Sequence, residues 1–225
     1  MDRPIILASA SPRRRELFEL LGLPFTVLAA GVDETPRPGE PPDVLVARLS
    51  AIKAAAVIQA IGGANGAEGA ELAKVLSNSL VVAADTVVVL DGKILGKPRD
   101  EVHARQMLRR LRDRAHKVYS GVAVVEVASG RTCIHLNTTV VWMRDYDDAE
   151  IDAYVATGDP LDKAGAYAIQ HIGFRPVARI EGCYSGVMGL PLTALIEGLA
   201  HFGLRPVLDV AEACQQQTGH PCCMA

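Results

Sequence analysis
The sequence predicts an α/β protein, on three observations. Apolar, strand-like runs alternate with helical stretches along the 225 residues. One run, "LVVAADTVVV" from residue 80, is apolar almost throughout, the mark of a strand covered on both faces. A chain of this length buries a sizeable core, as one large domain or two small lobes.

Taken in order, "IILAS" and "FTVLAA" read as strands on either side of a first helix in "SPRRRELFELLG". Ser11 caps that helix, Pro12 suits its first position, Leu17, Leu20 and Leu21 form an apolar stripe, and Gly22 stops it. "PDVLVARLSAIKAAAVIQAI" is a helix with Leu45, Leu49, Ile52 and Ala56 on one face. The Gly/Ala/Asn-rich stretch 62–79 reads as a surface loop or an inserted helical excursion. The strand from residue 80 ends in a hairpin turn at Asp91-Gly92. A basic amphipathic helix follows in "RDEVHARQMLRRLRDR". Next come a strand pair turning at Ser129-Gly130, a helix in "DDAEIDAYVATG", a strand in "PVARIEG" and a closing helix in "LPLTALIEGLAHFG". Residues 1–208 therefore read as a single domain, and the polar stretch 209–225 as a flexible tail that frays.

Composition excludes several classes. A net charge of −3 argues against a general polyanion binder. The basic runs 13–15 and 109–117 lack interleaved aromatic residues for stacking on nucleic acid. Five cysteines show neither zinc spacing nor a secreted disulfide framework. No signal peptide is legible, and Lys53 and Gln59 interrupt the most apolar helix, so no membrane span is expected. The expectation is a reduced, cytoplasmic protein acting without membrane or nucleic acid.

Chemistry concentrates at a few positions. Asp85 stands directly after an apolar strand, where a carboxylate cannot remain unsolvated and unpaired. It marks either a ligand crevice at a strand end or a turn cap. Glu34, in "VDETP", also follows a strand, and two such carboxylates could together hold Mg²⁺, the remaining ligands coming from water and phosphate oxygens. Lys53 lies one turn after Leu49 and borders the apolar face. Lys97, in "GKILGKPRD", departs from a P-loop: only three residues separate the glycines, and Pro98 replaces the hydroxyl residue. Arg13, Arg14 and Arg15 crowd the positive end of a helix, at a cost of about 0.3–1 kcal/mol for each cation. That crowding makes sense if the helix end receives a multiply charged anion, because each charge-assisted hydrogen bond is worth about 1.5–3 kcal/mol. The competing reading is three solvated side chains.

Seven blocks in order resemble the Maf family of nucleoside triphosphate pyrophosphatases, also called septum-formation inhibitor proteins. They are "LASASPRRRELFELLG", "DE", "ARLSAIKA", "VVAADTVVV", "GKPRD", "YVATGDPLDKAGAYAIQ" and "VMGLPL", spread from about residue 5 to about residue 203. The resemblance implies a mixed twisted sheet flanked by helices, with two lobes around a central cleft as in the inosine triphosphate pyrophosphatases. It implies hydrolysis of an α–β phosphoanhydride with a divalent metal cation, Mg²⁺ or Mn²⁺. Asp85 then matches the group that activates water, and Glu34 with Asp85 matches the metal site. Arg14, Thr86 and Gln170 fall where the family reads the base, while Ser11, Arg13, Lys53, Lys97 and Asp162 match positions that bind phosphate, metal or neighbouring side chains. The "DKAGAYAIQ" form looks like the dTTP/UTP branch. The Gln170 amide, with one donor and one acceptor, complements O4 and N3–H of uracil or thymine. The substrate is thus a nucleoside triphosphate, and a homodimer is left open. The chain departs from the family at His171, where glycine is expected, and in the longer 62–79 stretch and tail. The alternative, which the family's second name reflects, is a non-enzymatic regulator of cell division acting through a protein partner.

Overall fold
The computed structural model describes residues 3–63 and 77–223. Seven strands form one sheet: β1 (Ile5–Leu7), β2 (Thr26–Val27), β3 (Leu80–Leu90), β4 (Lys93–Leu95), β5 (Ala115–Glu126), β6 (Thr132–Met143) and β7 (Val177–Glu181). Their order is β2-β1-β3-β5-β6-β7, with β4 paired to β3. The sheet is mixed, since β1 is parallel to β2 and β3 while the remaining pairs are antiparallel. Helices α1 (Pro12–Glu19), α2 (Pro42–Gly62), α3 (Glu101–Leu111), α4 (Asp148–Ala156), α5 (Tyr184–Met188), α6 (Leu192–His201) and α7 (Val210–Thr218) flank it.

Much of the local structure follows the sequence signals. The Ser11 side chain caps α1 and Pro12 opens it. Asp91 and Gly92 both take positive φ, at 51° and 72°, and close a two-residue hairpin between β3 and β4. The twist of that turn suits paired strands and is cheapest with glycine in it. Two arginines of the basic helix α3, and Arg112 just beyond it, are engaged in surface ion pairs. Arg105 pairs with Asp152, and Arg109 and Arg112 pair with Asp148, which docks α3 against α4.

Asp85 does not follow a strand, contrary to the sequence expectation; it lies inside one. The apolar run continues through it to Leu90, because β3 is a central strand whose other edge is fully paired with β5. The opening is on the near edge. There β1 pairs with residues 80–82 and β4 with residues 88–90, and among the described residues no strand pairs with 83–87. A cleft enters at this gap.

The core divides at the same point on both faces of the sheet. On one face Leu80, Val82 and Ala84 join a cluster with Leu17, Phe18, Leu192 and Leu195, and Val88 and Leu90 join another with Leu108, Tyr146 and Ile151; Thr86 stands between. On the opposite face Val81 and Ala83 pack with Ala54 and Val57, and Val87 and Val89 pack with Leu45 and Leu49; Asp85 stands between.

The helix α2 covers that second face. Its buried stripe is Leu45, Val46, Leu49, Ala54, Val57 and Ile61, while Ile52 and Ala56 are only half-buried, so the stripe is shifted from the one expected. By length and composition alone α2 is apolar enough to cross a bilayer, despite Lys53 and Gln59. Here it packs against β3 and β5 instead. Residues 64–76, most of the expected 62–79 loop, lie outside the described residues. The tail departs further from expectation. It forms α7 capped by Asp209, and Val210, Cys214 and Cys222 are buried in the core cluster of Leu192 and Leu195. Three apolar side chains spaced to reach one surface outweigh the polar composition between them.

Candidate active site
The cleft widens into a cavity of about 380 Å³, within the range of small-molecule sites. Ser11, Arg13, Arg14, Glu34, Lys53, Asp85, Thr86, Lys97, Asp162 and Gln170 all line it. The fold therefore brings every candidate residue of the sequence into one place.

At its floor is a carboxylate–ammonium–carboxylate arrangement. Lys53 Nζ lies 2.6 Å from Asp85 Oδ1 and 2.8 Å from Glu34 Oε1. Lys53 is four residues from both Leu49 and Val57, so it occupies the buried stripe of α2 at the position facing Asp85. Asp85 is only 4% exposed. Burial raises its pKa above the usual aspartate value, and the charges of Lys53 and Arg14 pull against that rise. Burial also pushes Glu34 upward, but its hydrogen bond to Lys53 and the charges of Lys53, Lys97 and Arg14 hold it below the ordinary glutamate value. The two carboxyl groups thus differ in character: Glu34 is a firm anion, and Asp85 is a more basic carboxylate suited to accepting a proton.

The N-terminal turn of α1 forms one wall. Ser11 Oγ accepts a hydrogen bond from the Arg14 backbone N–H at 3.4 Å. Arg13 reaches Asp162 at 3.6 Å, and Arg14 Nε donates to the Gly189 carbonyl at 2.8 Å. Burial lowers the Arg14 pKa, against the charges of Asp85 and Glu34. Arg15 turns outward to Glu19, so two of the three arginines serve the cavity. Lys97, just beyond β4, adds another cation to the lining.

Three lining or supporting residues escape the sequence reading. Lys163, 7% exposed, donates to the Asp159 carbonyl, Asp159 Oδ1 and Asp162 Oδ1 at 2.6, 2.9 and 2.6 Å. Its signal was present in "DPLDKAG", a cation among carboxylates. Tyr167 reaches His116 Nε2 at 2.8 Å, and Ser120 Oγ reaches Thr86 Oγ1 at 2.8 Å. Both depend on which residues β5 places beside β3, and short sequence windows carry no such register. His171, the departure from glycine, closes its own turn by accepting from the Phe174 N–H at 2.9 Å.

The cavity sets five cationic side chains, from Arg13, Arg14, Lys53, Lys97 and Lys163, against the carboxylates of Glu34, Asp85 and Asp162. Fold and site together define a mixed-sheet α/β protein with a net-cationic cleft around a buried carboxylate. The sequence profile described as "Maf-like protein" matches residues 4–202, and the chain belongs to that family. A dTTP/UTP pyrophosphatase of Pelotomaculum thermopropionicum is 46% identical over 201 residues, covering 89% of this chain and 97% of the relative. One of the same name from Methylococcus capsulatus is 47% identical over 206 residues, covering 90% and 93%. Among solved structures, the Staphylococcus aureus Ham1 protein aligns over 64% of this chain and 73% of its own, at 17% identity and a TM-score of 0.37.

Proposed function
We propose that this protein hydrolyses the α–β phosphoanhydride of dTTP and UTP, releasing the nucleoside monophosphate and pyrophosphate. The observation that carries the reading is Asp85, buried at the gap in β3 and held by Lys53 inside a net-cationic cavity. The names of the relatives that match nearly the full chain support the choice of substrate.

Asp85 takes the proton from the attacking water, a role its burial-raised basicity favours. Arg13, Arg14 and Lys97 bind the triphosphate and offset the charge that develops on the departing pyrophosphate. Arg13 and Arg14 reach it from the α1 N-terminus, whose dipole adds to their charge. Lys53 holds Glu34 and Asp85 apart and oriented, and Gln170 reads the pyrimidine edge.

Among the described residues no group of three or more His, Cys, Asp or Glu side chains converges to hold a metal ion. Glu34 and Asp85, which meet on Lys53, suit a hard cation whose other ligands are water and phosphate oxygens. Mg²⁺ or Mn²⁺ bound there with the nucleotide would neutralise phosphate charge. The reaction belongs in the cytoplasm, on free nucleotides.

The test is pyrophosphate release from a panel of nucleoside triphosphates with Mg²⁺, with Mn²⁺ and with chelator. dTTP and UTP should be cleaved with metal and spared with chelator. Asp85→Asn should fold normally and lose about 10²–10⁴-fold in turnover, the worth of a general base. A folded Asp85→Asn protein with full activity would remove Asp85 from this role.

A further inference from the structure
Cys133 and His135 are two residues apart on β6, so both side chains stand on one face of the sheet. Helix α6 packs on that face and presents Glu197. His135 Nδ1 lies 3.1 Å from Glu197 Oε2, and His135 Nε2 lies 3.2 Å from Cys133 Sγ. None of the three lines the cleft. Gly198 sets the spacing between helix and sheet. A Cβ there would lie 2.8 Å from Val124 Cγ2 and 3.7 Å from His135 Cδ2. The bare glycine lets α6 settle on β5 and β6, which brings Glu197 to the imidazole.

The proton positions follow from this order. A carboxylate only accepts, so Nδ1 carries the ring proton and donates it to Glu197. Nε2 of the neutral ring keeps a lone pair, and the Cys133 S–H donates to it. A nucleophile, its base and the group that orients the base therefore stand in line. The three do not converge on a common point, because Cys133 and Glu197 meet opposite nitrogens of one ring.

Access and contrast single out this thiol. Cys133 is half-buried. Among the described strands β7 pairs only with residues 140–143 of β6, so Cys133 lies at an open rim of the sheet. Burial pushes the Cys183 and Cys214 thiols up to about 11 and about 12, which keeps them protonated. Cys222 is buried too, and the exposed Cys223 meets only the Thr193 hydroxyl among its printed hydrogen bonds, at 3.4 Å.

We propose that Cys133 is a modification site, a thiol that exchanges with small-molecule disulfides with His135 as its base and Glu197 as the positioning residue. The Cys133 proton passes to Nε2, and Sγ attacks one sulfur of the disulfide. The S–S bond breaks, a new one forms to Cys133, and the departing thiolate takes the proton back from Nε2. One disulfide and one thiol give one mixed disulfide and one thiol, with no other reactant. Acyl transfer would need further donors aimed at a developing oxyanion, whereas this leaving group needs only the proton that His135 holds.

The test treats the folded protein at pH 7 with hydroxyethyl disulfide and follows the adduct at each cysteine by peptide mass spectrometry. Cys133 should react faster than Cys223. An ordinary thiol is only a few per cent ionised at pH 7, so assistance gains at most about 30-fold, part of it returned as lower nucleophilicity. His135→Asn should therefore slow Cys133 about three- to tenfold and leave Cys223 unchanged. In Glu197→Gln the amide still accepts from Nδ1 but carries no charge, and Cys133 should slow by about twofold or more. Cys133 reacting no faster than Cys223 in the wild type overturns the inference, as does an unchanged rate in His135→Asn. A faster Cys133 in that variant overturns it too, because loss of a merely structural contact would loosen β6 and expose the thiol. Should His135→Asn fail to fold, Glu197→Gln decides in the same way, its side chain being 57% exposed.

Discussion
Burial and charge pull against each other at Arg14, Glu34, Asp85 and Asp162 in the cleft, and the balance sets the state of each. Asp85 is deep enough that burial prevails, whereas Glu34, with a side chain 55% exposed, is held down by its cationic neighbours. His116 shows burial acting without a counter-charge. It is 3% exposed, its Nδ1 has no hydrogen-bond partner, and its pKa falls to about 4. The native state therefore resists protonation at His116 while the unfolded chain accepts it near the ordinary value of about 6.5. A depressed folded value contributes stability above pH 6.5 that is lost as pH falls through about 4. The shift corresponds to roughly 3 kcal/mol. His116→Phe should cost stability at pH 7, by freeing the Tyr167 hydroxyl, yet flatten the decline between pH 7 and pH 4. Denaturant titrations at several pH values check this, and parallel profiles for the two proteins would refute it. Single residues were the most legible part of the sequence. Asp85, Lys53 and the arginine turn each break a local rule, and residues that break local rules collect at sites. Ser120 and Tyr167 break none, and their value comes only from what lies across the sheet.

At the level of elements, the cleft depends on how closely α2 approaches the sheet. Gly121, paired with Asp85 across β3 and β5, sits under the α2 backbone; a Cβ there would lie 2.7 Å from the Val46 carbonyl oxygen and 2.9 Å from its carbon. Those atoms are main chain and can yield only if the helix moves. The missing side chain is what lets Lys53 descend to Asp85. Gly121→Ala should destabilise the protein by about 1–3 kcal/mol, the usual cost of overpacking. It should also lower turnover by separating Lys53 from Asp85. Thermal melts and kinetics on the same preparation test both effects, and wild-type stability would show that the contact relaxes freely. Nothing in "VYSGVAVV" marks Gly121 apart from a glycine inside a strand, a hint of close backbone approach. Strand identity was readable from residues 80 to 90, but the cleft at their midpoint was not. It arises because β1 stops at Leu7 and β4 begins at Lys93, a fact of pairing and not of composition.

Over the whole molecule, the segment beyond the family match supports the cleft from behind. α7 and Cys222 bury Val210, Cys214 and Cys222 against the cluster of Leu192 and Leu195, and His220 stacks on Tyr184 with ring centroids 4.5 Å apart. Tyr184 opens α5, and the carbonyl groups of α5 and the residue after it anchor Ser120, Thr86 and Arg14. A load path therefore runs from the tail through α5 to Ser120, Thr86 and Arg14, the side of the cleft opposite Asp85 and Lys53. Deleting residues 209–225 removes one valine and two cysteine side chains from this cluster, a loss of burial worth about 1–2 kcal/mol each. For a chain of this size that corresponds to a fall in Tm of about 6–24 °C. If Arg14 and Thr86 bind substrate and Asp85 activates water as proposed, α5 supports the former and does not contact the latter, so the truncated protein should show a raised KM for UTP with kcat nearly preserved below its melting temperature. Calorimetry and steady-state kinetics measure the two effects separately. An unchanged Tm would mean the tail only rests on the core, and a fall in kcat at constant KM would mean that its influence reaches Asp85 by another route.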